Sequence, residues 1–160
     1  MNILFLCTGN SARSVIGECL MTARGGPEHR GYSAGSQPVG RVNPGAERVL
    51  ARHGIALDGV RSKRWDEFAG PDAVPMDAII TVCDNAAGET CPIWPGHPTT
   101  AHWGLPDPAA VAGDTDAIDA AFETTFAVLD RRVTALADCL NAGPDSRTLS
   151  AALRELATVD

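Results

Sequence analysis

The first fifteen residues, MNILFLCTGNSARSV (1–15), contain the pattern that decides the fold. The continuous apolar run over residues 2–6 is typical of a strand buried on both faces, and a helical pattern follows shortly after it. Between them lies the loop CTGNSAR, in which five residues separate Cys7 from Arg13. A strand that leads through such a loop into a helix predicts the start of an α/β fold, with a thiol at the end of its first strand.

The rest of the chain alternates between strand-like and helix-like segments. Alternation of this kind predicts an open parallel four-stranded sheet with helices on both faces. We assign residues 1–140 to a catalytic domain and residues 141–160 to a C-terminal helical appendage. Besides residues 2–6, strands are predicted over 32–36, 77–83 and 99–105, and helices from Ser11 or Ala12 onward, over 43–53, over 115–140 and around 149–156.

Composition and charge limit the classes of partner. The 160 residues carry a net charge of −7 with no basic block to offset it, which argues against nucleic acid or an anionic membrane as the main partner. No apolar run approaches the length of a membrane-spanning helix, and the N-terminus lacks the pattern of a signal peptide. We therefore expect a cytoplasmic protein that binds neither nucleic acid nor membrane as its main partner.

The cysteines indicate redox or catalytic use rather than a disulfide framework. Their number is odd, and no export signal accompanies them. In parallel sheets, ligands bind beyond the carboxyl ends of the strands, where Cys7 and Cys83 are both expected to lie. We interpret Cys19 and Cys139 as small core residues. The five cysteines are Cys7, Cys19, Cys83, Cys91 and Cys139.

The loop after the first strand has the chemistry of an oxyanion cradle. Its backbone N–H groups and the positive end of the following helix would surround a tetrahedral anion, and Arg13 would hold two of its oxygens with a planar fork. The same field is expected to lower the pKa of Cys7, and the Ser14 hydroxyl would reinforce this by donating to the sulfur. Gly9 would permit the turn. The alternative is a buried cysteine with an unrelated surface arginine. The predicted oxyanion-binding residues are Thr8, Gly9, Asn10, Ser11, Ala12, Arg13 and Ser14.

Several motifs together resemble one protein family. The stretch CTGNSARS resembles the oxyanion loop of the low-molecular-weight tyrosine phosphatase superfamily. The stretches YSAG, NPGA, TVC followed by CP, and HWGLPDP resemble its thioredoxin-coupled arsenate reductase branch, over about residues 1–140. The resemblance implies a phosphatase-like fold, no cofactor and no catalytic metal. It also implies that Asp107 is the general acid, although an aspartate in a turn before proline is the ordinary alternative.

The resemblance further implies a relay of three thiols. Cys7 would attack arsenate, Cys83 would attack the Cys7 sulfur to release arsenite, and Cys91 would attack Cys83 to free Cys7. Thioredoxin is the expected reductant, with glutathione and glutaredoxin as the alternative. A helix would hold Cys83 and Cys91 about 12 Å apart, beyond the roughly 7 Å that a disulfide allows, so the segment between them must bend or unwind.

Three features depart from the family pattern. Lys63 stands where an acidic residue would help Glu18 and Ser33 bind potassium in some relatives, so we expect no potassium dependence. Ala12 replaces a further cysteine of many relatives, and the segment between the second and third thiols is one residue longer.

Three other functions remain open from the sequence alone. A tyrosine phosphatase would use Cys7, Arg13 and Asp107 without reduction, but Ala109 stands where phosphatases tend to have tyrosine. A non-enzymatic thiol sensor would leave the loop unexplained. A zinc site with His97 and His102 is disfavoured by the wide cysteine spacing.

Overall fold

The computed structural model describes residues 1–90 and 92–160. Four parallel strands form one sheet in the order β2-β1-β3-β4. None of the helices in these residues has the length and apolar character needed to cross a bilayer. The elements are β1 (Asn2–Cys7), α1 (Arg13–Arg24), β2 (Arg30–Gly35), α2 (Pro44–Arg52), β3 (Ala78–Thr81), α3 (Asp84–Gly88), β4 (Thr99–His102), α4 (Thr115–Asn141) and α5 (Ser146–Leu156).

The predicted α/β fold is confirmed, and β1 lies in its centre between β2 and β3. Alternate residues of β1 point to opposite faces of the sheet, where both sets are buried. On one face, Ile3 and Phe5 pack in the main core with side chains of α1, α2, α4 and α5. On the other face, Leu4 and Leu6 pack under the 3₁₀ helix Trp65–Phe68.

The predicted elements differ from the observed ones mainly at their ends. Helix α1 begins at Arg13 after Ala12, and α4 spans 27 residues behind an Asp114 cap. The 3₁₀ helix Trp65–Phe68 and the short helix α3 were not predicted as elements. Both are shorter than the window over which a helical period is visible.

The last helix lies against the rest of the fold. Leu149 and Leu153 of α5 belong to the same core cluster as β1, and the Leu153 carbonyl accepts a 2.9 Å hydrogen bond from the Trp103 indole. The division between residues 1–140 and 141–160 stays a prediction.

Candidate active site

The loop between β1 and α1 wraps around the Cys7 sulfur. Cys7 is the last residue of the central strand and is 5% exposed. The Asn10 backbone N–H donates to Cys7 Sγ over 3.1 Å. Asn10 itself adopts a left-handed backbone conformation, with φ of 42°, whereas Gly9 does not have positive φ. The expectation that Gly9 makes the turn is therefore wrong, because asparagine, which tolerates this conformation better than most residues, makes it instead.

The Asn10 side chain holds the loop in shape. Its amide nitrogen donates to Ser14 Oγ and to Ser33 Oγ, both over 2.9 Å, and its amide oxygen accepts from the Lys63 backbone N–H over 2.8 Å. Asn10 has no exposed surface. Since these three bonds join the loop to α1, to β2 and to the chain after Ser62, the loop cannot change shape without leaving buried polar groups unpaired.

Ser14 is the hydrogen-bond partner of the nucleophile candidate. Its Oγ lies 2.9 Å from Cys7 Sγ, as expected from the sequence. Burial raises the pKa of the Cys7 thiol, and the neighbouring Cys83 adds to this rise, while hydrogen bonds from Ser14 and Asn10 lower it. The net direction is upward, which corrects the expectation of a lowered pKa. Desolvation of the sulfur outweighs its hydrogen bonds.

Arg13 and Asp107 meet over the mouth of the loop. Arg13 Nη1 donates a 2.8 Å hydrogen bond to the Leu105 carbonyl, and Arg13 Nη2 lies 3.4 Å from Asp107 Oδ2. The Arg13 side chain is 14% exposed and that of Asp107 is 43% exposed. Arg13 Nε is buried and has no partner among the described residues. The guanidinium therefore has one buried N–H without a partner in the described part of the chain.

The second thiol lies at the same edge of the sheet. Cys83 follows β3 and caps α3, where its Sγ accepts from the Ala86 backbone N–H over 3.4 Å. Thr8, the residue after Cys7, has its hydroxyl 3.8 Å from Cys83 Sγ and donates a 3.2 Å hydrogen bond to Glu89 Oε1. The structure therefore brings Cys83 next to the oxyanion loop. Cys91 lies outside the described residues.

Two cavities meet at Arg13 and Asp107. The first, of about 310 Å³, lies over Cys7. The second, of about 240 Å³, extends from Arg13 and Asp107 to Cys83. Four of the predicted oxyanion-binding residues line the first cavity: Gly9, Ser11, Ala12 and Arg13. The other three, Thr8, Asn10 and Ser14, use their side chains for hydrogen bonds within the protein.

A buried ion pair lies beneath the loop. Lys63 Nζ is 3.3 Å from Glu18 Oε2, and the two side chains are 7% and 12% exposed. Ser33 donates to the same carboxylate oxygen, and Asn10 donates to Ser33. A chain of hydrogen bonds thus connects the ammonium group to the loop. Among the described residues, no group of three or more His, Cys, Asp or Glu side chains could hold a metal ion.

His102, which the zinc alternative had named as a ligand, forms hydrogen bonds to two elements near the second thiol. Its Nδ1 lies 2.8 Å from Thr81 Oγ1, and its Nε2 lies 2.9 Å from Asp84 Oδ1. Asp84 is the first residue of α3, so the imidazole ties the start of this short helix to β3. This contact was not predicted, because Asp84 and His102 are 18 positions apart and no sequence periodicity relates them.

The family assignment follows from comparison with known proteins. Residues 2–146 match the model of the low molecular weight phosphotyrosine protein phosphatase family. The chain belongs to this family. A curated arsenate reductase of Bacillus licheniformis is 34% identical over 137 residues, which cover 85% of this chain and 94% of the relative. The predicted resemblance to the arsenate reductase branch is confirmed.

Solved structures of both branches of the family share the fold. The arsenate reductase of Archaeoglobus fulgidus has a TM-score of 0.65 and 28% identity, covering 85% of this chain and 98% of its own. The tyrosine phosphatase Wzb from Escherichia coli K30 has a TM-score of 0.66 and covers 87% of this chain and 97% of its own. At 22% identity, it is evidence for the fold alone. The fold is common to both enzymes, so the side chains must decide the activity.

Proposed function

We propose that the protein reduces arsenate to arsenite with Cys7 as nucleophile and a Cys83–Cys91 disulfide relay, in arsenic detoxification. The observation that carries this proposal is the second thiol: Cys83 Sγ lies 3.8 Å from the hydroxyl of Thr8, the residue next to Cys7. Ester hydrolysis needs one thiol, whereas reduction of As(V) to As(III) needs the two electrons that a dithiol releases. The arsenate reductases among its relatives support the same function.

In the first step, the oxyanion loop binds arsenate and Cys7 attacks arsenic. The Cys7 thiol passes its proton to the arsenate dianion as the anion binds. The thiolate then forms an S–As bond and one arsenic oxygen leaves as water, protonated by Asp107 as general acid. Arg13 and the loop N–H groups stabilise the negative charge on the remaining oxygens.

In the second step, the adduct is resolved by Cys83. Its thiolate attacks Cys7 Sγ, the S–As bond breaks, and the electron pair of that bond stays on arsenic. Arsenic leaves as arsenite, and the two sulfurs form a disulfide. Cys91 then attacks Cys83, which returns Cys7 to the thiol state. Overall, two thiols and arsenate give one disulfide, arsenite and water.

The relay requires a mobile segment between Cys83 and Cys91. Helix α3 has only five residues, and its contacts include the Thr8–Glu89 and His102–Asp84 hydrogen bonds near its two ends. A helix this short has little stability of its own, which suits a segment that must rearrange. Thioredoxin is the proposed reductant of the final disulfide, and glutathione with glutaredoxin is the alternative. A reducing compartment, the cytoplasm, is the proposed location because the thiols must be regenerated after each turnover.

A coupled assay tests the reductase. The protein is mixed with arsenate, thioredoxin, thioredoxin reductase and NADPH, and NADPH oxidation is followed. Cys83→Ser should abolish arsenate-dependent oxidation, whereas Cys139→Ser, which removes a thiol outside the site, should keep it. Cys91→Ser should allow about one turnover per molecule and then stop. Sustained turnover by Cys91→Ser would exclude the three-thiol relay, and a Cys83→Ser variant with full activity would exclude reduction through Cys83.

The second candidate function is that of a tyrosine phosphatase. It would use the Cys7 loop and Asp107 to form and hydrolyse a phosphocysteine. The lining of the first cavity offers no aromatic side chain to hold a phenyl ring, and Ala109 occupies the wall beside Asp107. We therefore expect only weak hydrolysis of activated aryl phosphates. Aryl phosphate cleavage without arsenate-dependent NADPH oxidation would favour the phosphatase instead.

A further inference from the structure

The cavity over Cys7 is larger than the anion that it is proposed to hold. Its volume of about 310 Å³ corresponds to roughly ten water molecules, whereas a tetrahedral oxyanion of five heavy atoms takes the room of two or three. A second loop, which includes Val39 and Arg41, lines this cavity together with Pro44. A bound oxyanion on Cys7 would therefore share the cavity with this second loop.

Arg41 leaves the cavity wall with one uncompensated positive charge. Arg13 and Arg41 are the positive residues of the lining, and Asp107 is the negative one. Arg13 pairs with Asp107, so much of its charge is compensated before any anion arrives. Within the described part of the chain, Arg41 forms no ion pair. In a protein with a net charge of −7, Arg41 is thus the uncompensated cation of this cavity.

The backbone of the second loop is tied to the oxyanion loop. The Gln37 N–H donates to the Thr8 carbonyl over 3.0 Å, and the Val39 N–H donates to the Gly9 carbonyl over 2.9 Å. On the other side of Arg41, the Asn43 N–H donates to the Ser11 carbonyl over 2.8 Å. Arg41 therefore lies between anchored residues, and its position relative to the oxyanion loop is maintained although its side chain is exposed.

We infer that Arg41 is a second anion-binding residue of the site, which draws tetrahedral dianions to the Cys7 loop and favours them over monoanions. This inference deepens the proposed function, since it rests on the same oxyanion site, but it does not depend on the redox relay. The physical reason is that the exposed charge of Arg41 acts mainly through long-range electrostatic attraction, which is twice as strong for a dianion as for a monoanion. The ordinary alternative is a solvated arginine without a ligand, which is an outcome of the test below.

Protection of Cys7 against alkylation measures anion binding without turnover. The reduced protein is treated with iodoacetamide, which is uncharged, at increasing concentrations of inorganic phosphate, and labelling of the Cys7 peptide is followed by mass spectrometry. Arg41→Gln should raise the phosphate concentration for half-protection by about three- to tenfold at low ionic strength, and added salt should reduce this difference. For Arg41→Lys, the phosphate concentration for half-protection should remain within about twofold of that of the natural protein, because the substitution keeps the positive charge.

The matched control is Arg147→Gln. Arg147 is an exposed arginine in the first turn of α5 that does not line the cavity, so this variant loses the same charge elsewhere. It should bind phosphate as the natural protein does. A second comparison uses two tetrahedral ions: Arg41→Gln should weaken protection by sulfate, a dianion, more than protection by perrhenate, a monoanion.

The outcomes separate this inference from the proposed function. If phosphate protects Cys7 equally in the natural protein and in Arg41→Gln, Arg41 is a solvated surface residue and the inference is wrong, while the oxyanion site stands. If phosphate does not protect Cys7 even in the natural protein, the oxyanion site and the proposed function fail together. An equal loss in Arg41→Gln and Arg147→Gln would show a general charge effect and would also overturn the inference.

Discussion

Replacing Ser14 with alanine tests the electrostatics of the nucleophile directly. Ser14 Oγ lies 2.9 Å from Cys7 Sγ in a buried site, and it lowers the pKa of Cys7 against the effect of desolvation. The variant removes this hydrogen bond together with the acceptor of one Asn10 amide hydrogen bond, and it adds no volume to the site. We expect the pKa of Cys7 to rise further, so that less thiolate is present at any pH below it.

The magnitude follows from the strength of hydrogen bonds to charged groups. Such a bond is worth about 1.5–3 kcal/mol, and each 1.4 kcal/mol is a factor of ten in the population of the charged form. The Asn10 N–H to Cys7 Sγ bond remains and stabilises part of the charge. The population of the reactive thiolate at pH 8 should therefore fall about tenfold or more.

Alkylation kinetics provide the measurement. The rate of Cys7 labelling by iodoacetamide rises with pH as the thiolate forms, and Ser14→Ala should shift this rise to higher pH. Ser36→Ala is the matched control, because Ser36 Oγ is buried without a hydrogen-bond partner in the described residues. Cys19 is an internal reference, since burial is the main cause that raises its pKa to about 12. If the rate of Cys7 labelling in Ser14→Ala stays within twofold of that of the natural protein at every pH, this account of the Cys7 pKa is refuted.

Three further variations test the surrounding groups. Asp107→Asn should lower kcat for arsenate about 10²–10⁴-fold with Cys7 alkylation unchanged, as expected for loss of a general acid; an unchanged kcat would exclude that role. Lys63→Met should lower the free energy of unfolding measured in urea by about 3–5 kcal/mol, because it leaves the Glu18 carboxylate buried without its cation. Adding Glu18→Gln to this variant should recover most of the lost free energy. If the double variant is no more stable than the single one, the pair is not coupled. Exchange of sodium for potassium at constant ionic strength should change kcat/KM by no more than about twofold, since the Lys63 ammonium already neutralises Glu18.

Local patterns were sufficient to predict the strands and the long helices. The apolar run before Cys7 predicted a buried central strand, and the Asn43-Pro44 pair predicted the start of α2, where Asn43 accepts from the Gly45 N–H over 2.8 Å. These predictions depend on side chains within one turn or one strand of each other. The 3₁₀ helix Trp65–Phe68 was not predicted, because its two aromatic side chains pack against Leu4 and Leu6 of β1 and follow no periodic pattern in the sequence.

The sign of the Cys7 pKa shift could not be predicted from the sequence. The loop motif indicated hydrogen bonds and a helix terminus, both of which favour the thiolate. Burial of the sulfur acts in the opposite direction and depends on what the whole fold packs around it. The Glu18–Lys63 contact joins residues 45 positions apart, although the resemblance to the family had placed both near the loop.

The order of residues along the chain was enough to establish which reactive groups are present: a thiol and a guanidinium separated by one loop, a second thiol after another buried strand, and an aspartate between two prolines. These features are local, because the order of residue types along the chain carries them. Three further facts became visible in the folded chain: Cys83 lies beside Thr8, Asp107 pairs with Arg13, and Arg41 keeps an uncompensated charge. Such facts depend on parallel strands ending at one edge of the sheet and on burial, which are properties of the folded chain as a whole.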